Sequence, residues 1–559
     1  MVLDRIPRQY LKKNLIKEKA FMDYKNLTKA IIQEDIIGFE HAAFLNCKNL
    51  RKIILNSNIE TIADSVFENC ENLEQTLIIP SKVECIGESA FAGCKKLIGL
   101  VFNTNLSSIG DYAFSHCEGL TTITIPDNVK KIGKDAFCDC KNLESVTLSN
   151  NLSNLDEEVF FRCDKLTDII IPNSVTSIGD FTFCECQALT YIDIPSSVTV
   201  IGDASFFSCS NIKRISMGDN VVEIGRAAFR DCKSLSTIKI SSNLANLGEF
   251  AFNGCKNLES IKLSNEITKI EESTFKDCLS LSNIELPSKL KIIEDNVFSC
   301  CYKLTSINLP ESLEDIGIDA FKRCGIRDLK IPDNVKSIGM GAFNDCFNLT
   351  SITLPKNIMD INDMTFNECL GLSNITIPSK VVNIEKFAFN ECCSLEEIVL
   401  PDNLANIGEK AFHKCESLAN IKIPDTVTSI GKFAFADCKS LAKIELPNNI
   451  GTISDSMFAN CISLSNITIP NGVTKIEEFA FSGCTSLAYI IIPNTVTTLE
   501  DFIFDSCTSL TDIVFPDSIE EFGHYIFHNC GNLSSVTWKG VTYTNKEEFN
   551  NVAGEEVWM

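Results

Sequence analysis

The chain has 559 residues, of which 45 % are hydrophobic and 22 % charged, with a formal net charge of −24. That composition suits an ordered, soluble protein, and a surface this acidic repels phosphate backbones, which argues against a nucleic-acid partner. No apolar run is long enough for a membrane-spanning helix, which argues against membrane insertion.

Residues 1–35 carry eight Lys or Arg against five acids, so the remainder is near −27. They read as an N-terminal cap, partly helical. The opening stretch MVLDRIPRQYLKKNLIKEKAF is charged but lacks the apolar h-region of a secretory signal, and the closing EEFNNVAGEEVWM carries no anchor. Taken at face value the chain is cytoplasmic, or is exported by a route its sequence does not advertise.

From Ile36 onward a single pattern dominates. Twenty-two copies of Phe-x-x-Cys run from Phe44/Cys47 to Phe527/Cys530, and 19 of the 21 intervals between these cysteines are 23 residues. A fixed period of this size marks stacked repeats, each burying itself only against its neighbours. A representative unit is LTDIIIPNSVTSIGDFTFCEC, Leu166 to Cys186; IPDNVKKIGKDAF from Ile125 and IPDTVTSIGKFAF from Ile423 are close copies. The I-x-I segment alternates as a strand does. Proline then ends the ladder, and 15 of the 16 prolines hold this position. V-x-x-I predicts a second short strand. Gly179, Gly202 and Gly431 follow it in some repeats, Glu271, Asn362 and Glu385 in others, so no strict demand for positive φ operates there. Acids at that point suggest a short helical turn over A-F-x-x-C, with Phe and Cys on one face.

Stacking these units predicts a parallel sheet of I-x-I strands, a phenylalanine spine and a column of buried reduced thiols. Four of the five remaining cysteines sit beside a column cysteine, in the pairs Cys138/Cys140, Cys184/Cys186, Cys300/Cys301 and Cys392/Cys393; the fifth is Cys85. The period slips twice, by one residue added before Pro80 and one lost after Cys324. Gly531–Met559, with both tryptophans, reads as a C-terminal cap in which VTWKGVTYT (Val536 to Thr544) forms a hairpin. The expected organisation is therefore a 1–35 cap, a 36–530 solenoid and a 531–559 cap.

The IP, IG, AF and C positions of this consensus resemble the BspA-like, or Treponema pallidum type, leucine-rich repeats across about residues 36–540. The resemblance implies an α/β repeat solenoid, a right-handed curved stack of about 22–23 repeats with its parallel sheet on the concave face. It also implies an adhesion protein at the cell surface or secreted, binding host, matrix or microbial proteins, with no catalytic residues.

The residues carry no competing chemistry at the expected spacings. H-E-x-x-H, Walker loop and G-x-S-x-G patterns are absent. His524-x3-His528-x-Cys530 has metal-like spacing, but its cysteine belongs to the buried column and its histidines to an outer loop. Paired acids such as Glu271/Glu272 and Glu477/Glu478 read as helix-start charges. No catalytic, cofactor or metal site is expected. The informative surface is the exposed side of the I-x-I sheet, mixed and polar, where two places approach a protein hot spot: Tyr191, Asp193, Arg214 and Lys239, and Tyr489 with Ile491. The reading is a non-enzymatic protein-interaction solenoid with an unidentified protein partner. An intracellular scaffold and, more remotely, a cysteine-based redox or metal-binding protein are the alternatives.

Overall fold

The computed structural model describes residues 1–554 and 556–559. It divides into two compact units, Met1–Pro287 and Ser288–Met559. Each is a parallel-strand solenoid of about 23 residues per coil, and each uses the same two ladders.

The first ladder is formed by the I-x-I segments. In the first unit Tyr191–Ile194 pairs in parallel with Arg214–Met217, residue for residue at a 23-residue offset. In the second, Asn466–Thr468 pairs with Tyr489–Ile491 in the same way. In most of these strands the middle residue is buried and its two neighbours face out, as at Asn420–Lys422. The second ladder is built from two-residue strands after the proline turn, such as Val200–Ile201 on Glu223–Ile224 and Asn383–Ile384 on Asn406–Ile407.

The A-F-x-x-C segment is not helical, which corrects the sequence expectation. Phe181 and Glu185 adopt left-handed φ values of 53° and 60°. Backbone N–H groups then alternate between two kinds of acceptor. Those of Phe181, Phe183 and Glu185 donate to Asp203, Ser205 and Phe207 of the next coil, each at 2.8 Å, while those of Cys184 and Cys186 donate locally to Phe181 and Phe183. An α-helix would spend every N–H within its own segment. Here the left-handed residues turn every second one outward, so the turn itself joins the stack. The inter-coil bonds offset the cost of placing non-glycine residues at positive φ.

The acids near this turn have a matching role. Asp180 Oδ1 accepts from the Asp203 N–H at 2.7 Å, and Glu500 Oε2 accepts from the Glu478 N–H at 3.1 Å. They satisfy neighbouring coils and are not helix-start charges. Gly202 has no left-handed φ; it is small because an added Cβ would lie 2.4 Å from Asp180 Oδ1.

The first 35 residues already behave as coils. Val2–Leu3 pairs in parallel with Lys29–Ile31, Leu15–Ile16 pairs with Gly38–Phe39, and Phe21 stacks on Phe44 at 4.9 Å. Their one helical element is the 3-10 turn Arg8–Tyr10. Tyr24 stands where later coils have cysteine, which hid this repeat from the Phe-x-x-Cys pattern. At the other end Ser535–Trp538 and Val541–Tyr543 form the expected antiparallel hairpin. Helix Lys546–Ala553 follows, N-capped by Asn545, and buries Phe549. No helix among the described residues is long and apolar enough to cross a membrane.

Both slips in the period have local solutions. At the inserted residue the Gln75 side-chain amide mimics a peptide group: Oε1 accepts from the Ile53 N–H and Nε2 donates to the Ile53 carbonyl, both at 3.1 Å. At the deletion, the Gly325 backbone passes so close to Tyr302 that a Cβ would lie 2.2 Å from its carbonyl oxygen.

Candidate functional site: the long-strand face and the column behind it

The interior fixes what the surface can present. Within the first unit rings from Phe21 to Phe275 form a stacked spine, with Phe229 and Phe252 centred 5.4 Å apart. The second unit repeats this from Phe298 to Phe527, as at Phe389 and Phe412, also 5.4 Å apart. Beside the rings the thiols form a hydrogen-bonded column. Cys255 Sγ donates to the carbonyl of Phe229 at 3.1 Å, and that same oxygen accepts the Cys232 N–H at 3.2 Å. Cys255 thereby supplies a second donor to a buried phenylalanine carbonyl, which a purely apolar residue could not do, and Cys232 and Cys278 do the same for Phe206 and Phe252. All 27 cysteines are thiols rather than disulfides, and the 22 of the column are all buried. Burial pushes the thiols of Cys140 and Cys346 up to about 12 and raises those of Cys70, Cys232 and Cys415, which favours the neutral thiol.

One residue beyond each spine phenylalanine lies a column whose identity varies. In the second unit it holds Asn344, Asn367, Asn390 and His413 in succession. Asn367 Nδ2 donates to Asn344 Oδ1 at 2.8 Å, and Asn390 Nδ2 donates to Asn367 Oδ1 at 2.7 Å. His413 Nδ1 ends the chain on Asn390 Oδ1 at 2.7 Å. Because that oxygen is an acceptor, His413 carries its proton on Nδ1. Its Nε2 faces Asp437 at 3.4 Å.

The two histidines at metal-like spacing before Cys530 each lie against an acid. His524 and His528 rest on Asp501 and Asp505, at 3.5 and 2.7 Å. Cys530 turns inward to the carbonyl of Phe504 at 2.9 Å.

On the long-strand face, the first unit places Tyr191 opposite Arg214 and Asp193 opposite Ser216 in one register. Tyr191 is 45 % exposed, and its hydroxyl donates to Asp168 Oδ1 at 3.2 Å. Lys239 lies two residues past Thr237, the register partner of Arg214, and pairs with Asp219 at 3.2 Å. It borders an open depression of about 550 Å³ lined also by Lys262, Asn283 and Glu285. In the second unit Tyr489 and Ile491, 58 % and 49 % exposed, line a smaller depression of about 170 Å³ with Asp512 and Val514. The two groups named from the sequence therefore lie on the same kind of surface, one in each unit.

An apolar stretch of this face in the first unit escaped the sequence reading. Ile54, Ile78 and Val101 are 38 %, 66 % and 49 % exposed, with Val101 in register beside Ile78. The segments KIILN, TLIIP and GLVFN signal it by breaking the apolar–polar alternation of later repeats. Gln75 bridges its middle, where a depression of about 370 Å³ opens between Ile54 and Ile78.

The model of the BspA type leucine rich repeat region matches residues 14–144, 107–236, 223–347, 336–465 and 451–557. Among solved structures, a leucine-rich repeat protein from Bacteroides ovatus is 30 % identical, over 62 % of this chain and 80 % of its own, with a TM-score of 0.48. A leucine rich cell surface protein from Faecalibacterium prausnitzii is 28 % identical over 67 % and 85 %, with a TM-score of 0.33. The T. pallidum leucine rich repeat protein is 24 % identical over 35 % and 81 %, with a TM-score of 0.28. No curated protein sequence matches the chain at a significant level.

Proposed function

Since this chain belongs to the BspA-type leucine-rich-repeat family, a repeat architecture of the protein-interaction type, we propose that it is a non-enzymatic adhesion protein that binds a protein partner through its long-strand face. The observation that carries this reading is the contrast within each coil. The buried middle residue of the strand hardly varies, as with Ile192, Ile215 and Ile238, while its outward neighbours change from Tyr191 to Arg214 to Thr237. Such a surface offers shape and charge without being needed for the stack. Tyr191 with Arg214, and Tyr489 with Ile491, supply the aromatic, guanidinium and apolar groups that anchor protein contacts. Asp193 and Lys239 supply flanking charge of both signs.

The test has two parts. Protease shaving of intact source cells should remove the protein while cytoplasmic markers survive; full protection would leave the scaffold reading and end the adhesin one. The full chain would then be immobilised against a panel of matrix and cell-surface proteins. The double variants Tyr191→Ala/Arg214→Ala and Tyr489→Ala/Ile491→Ala should each melt as the parent does, and at least one should weaken binding about tenfold or more. Binding untouched by both, and by changes at Ile54 and Ile78, would move the partner off this face.

A further inference from the structure

Three carboxylates are buried among the described residues: Asp135, Asp139 and Asp345, at 4 %, 6 % and 6 % exposure. Two have cations. Asp139 lies 3.5 Å from Arg162, 3.6 Å from His116 and 3.8 Å from Lys141. Asp345 lies 3.0 Å from Arg323. Asp135 has none within ion-pair distance, for the neighbouring Lys134 gives its ammonium to Glu157 at 2.9 Å. What Asp135 faces is the thiol of Cys138, the carboxyl of Glu158 and the hydroxyl of Tyr112.

The repeat explains this convergence. Asp135 and Glu158 occupy the same left-handed turn position 23 residues apart, with φ values of 54° and 58°, so stacking sets one carboxyl over the other. Cys138 follows Phe137 of the spine and is 7 % exposed. One ligand atom from each of the three residues lies within 4.8 Å of the other two. Burial, and then the facing Asp135, push Glu158 up to about 7. Asp135 and Cys138 are buried and Glu158 half-buried; the Cys138 thiol also donates to Asp139 Oδ2 at 3.7 Å, and protons or a cation would relieve the opposed carboxyls.

We propose that Asp135, Cys138 and Glu158 form a binding site for a thiophilic divalent cation of the zinc type. A tetrahedral ion held at about 2.0–2.3 Å needs ligands about 3.3–3.8 Å apart, which small side-chain rotations supply here. The sulfur donor selects against calcium and magnesium, which take oxygen ligands. Three protein ligands leave a fourth position for water. Binding breaks the Cys138 S–H bond and forms a sulfur–metal bond, releasing one proton to solvent. Any proton on the carboxyl pair leaves in the same way, so affinity rises with pH.

The probe is cobalt(II), added to the reduced, metal-free full chain and followed by its sulfur-to-metal charge-transfer absorption. One equivalent should bind and be displaced by zinc. Cys138→Ser should abolish the absorption and Glu158→Gln should weaken binding at least tenfold, while Cys393→Ser, in the second unit, should leave both unchanged. Ser115 holds the repeat position of Cys138 one coil earlier, so Cys138→Ser is compatible with the coil. A melting curve checks this, and Glu158→Gln decides if that variant fails to fold. Absence of the absorption, its survival in Cys138→Ser, or uptake of several cobalt ions without it would each overturn the site.

Discussion

Inside neighbouring coils of the first unit one arrangement recurs: Phe229 stacks on Phe252, and the Cys255 thiol donates to the Phe229 carbonyl. On the long-strand face of the same coils Arg214, Thr237 and Ser260 follow one another with only exposure in common. The difference follows from what each position must meet. An interior residue meets its own copy in the next coil, so a favourable self-contact is repeated at every interface. An exposed residue meets water or a partner, and nothing in the stack dictates it. Stability in such a chain is a sum of neighbour interfaces, and specificity is left to the residues outside that sum.

The sharpest way to break the comparison is to damage one interior contact. Phe252 is fully buried between Phe229 and Phe275, with ring centres 5.4 and 5.6 Å away. Phe252→Ala should cost about 3–5 kcal/mol, read by urea unfolding of the full chain. Because both interfaces of the coil lose contact, hydrogen exchange should speed up on each side of it. Unchanged unfolding would mean that the spine is not what holds the coils together.

A smaller loss is expected from the thiol column. Cys255→Ala removes the second donor to the Phe229 carbonyl but leaves the Cys232 N–H on it, so about 1–2 kcal/mol should be lost. The same column should resist alkylation in the native chain at mildly alkaline pH. Exposed Cys85 should react first, and the buried thiols only on unfolding. Mass spectrometry after a short pulse of iodoacetamide separates the two groups. Rapid labelling of Cys255 and its column neighbours would mean that the column is open to solvent.

These effects also mark what the sequence could and could not carry. The period, the alternation of I-x-I and the proline positions specify both ladders, since each reflects a requirement on residue type. The Phe and Cys columns follow from registration alone. The turn was misread because Phe and Cys three apart fit a helical face equally well. The sign of φ leaves no residue signature here: the left-handed position is Phe181 in one coil, Glu158 in another, Ser273 in a third. Tyr24 in place of cysteine concealed the coil before the first Phe-x-x-Cys. The outward residues of the long strands were legible as positions, but their partner is not, because their contacts within the chain, such as Tyr191 to Asp168 and Lys239 to Asp219, do not record what they bind. Cys138 stood out beside Cys140, yet its relevant neighbours are Asp135 on its own coil and Glu158 on the next, which only an alignment of turn positions brings together.

The variable column of the second unit offers the finest test, since there an interior-like ladder ends in a residue that titrates. Burial lowers the pKa of His413 below its ordinary 6.5, against an opposing pull from Asp437 and from more distant Glu391, and with help from Lys414 and Lys410. The folded chain thus prefers the neutral ring, whose Nδ1 proton donates to Asn390. The unfolded chain takes up its proton first as pH falls. The contribution of His413 is therefore fully present above about pH 6.5 and is lost on acidification through that value towards the lower folded pKa. His413→Asn should remove this acid-side slope from the stability profile. An asparagine there can also donate its amide to Asn390 Oδ1, as Asn390 does to Asn367, so stability at neutral pH should change little. Matched denaturant curves at neutral and mildly acidic pH measure both quantities. A slope that persists in His413→Asn would place the proton uptake elsewhere. A large loss at neutral pH would show that the imidazole ring, and not the ladder bond it makes, is what the column needs.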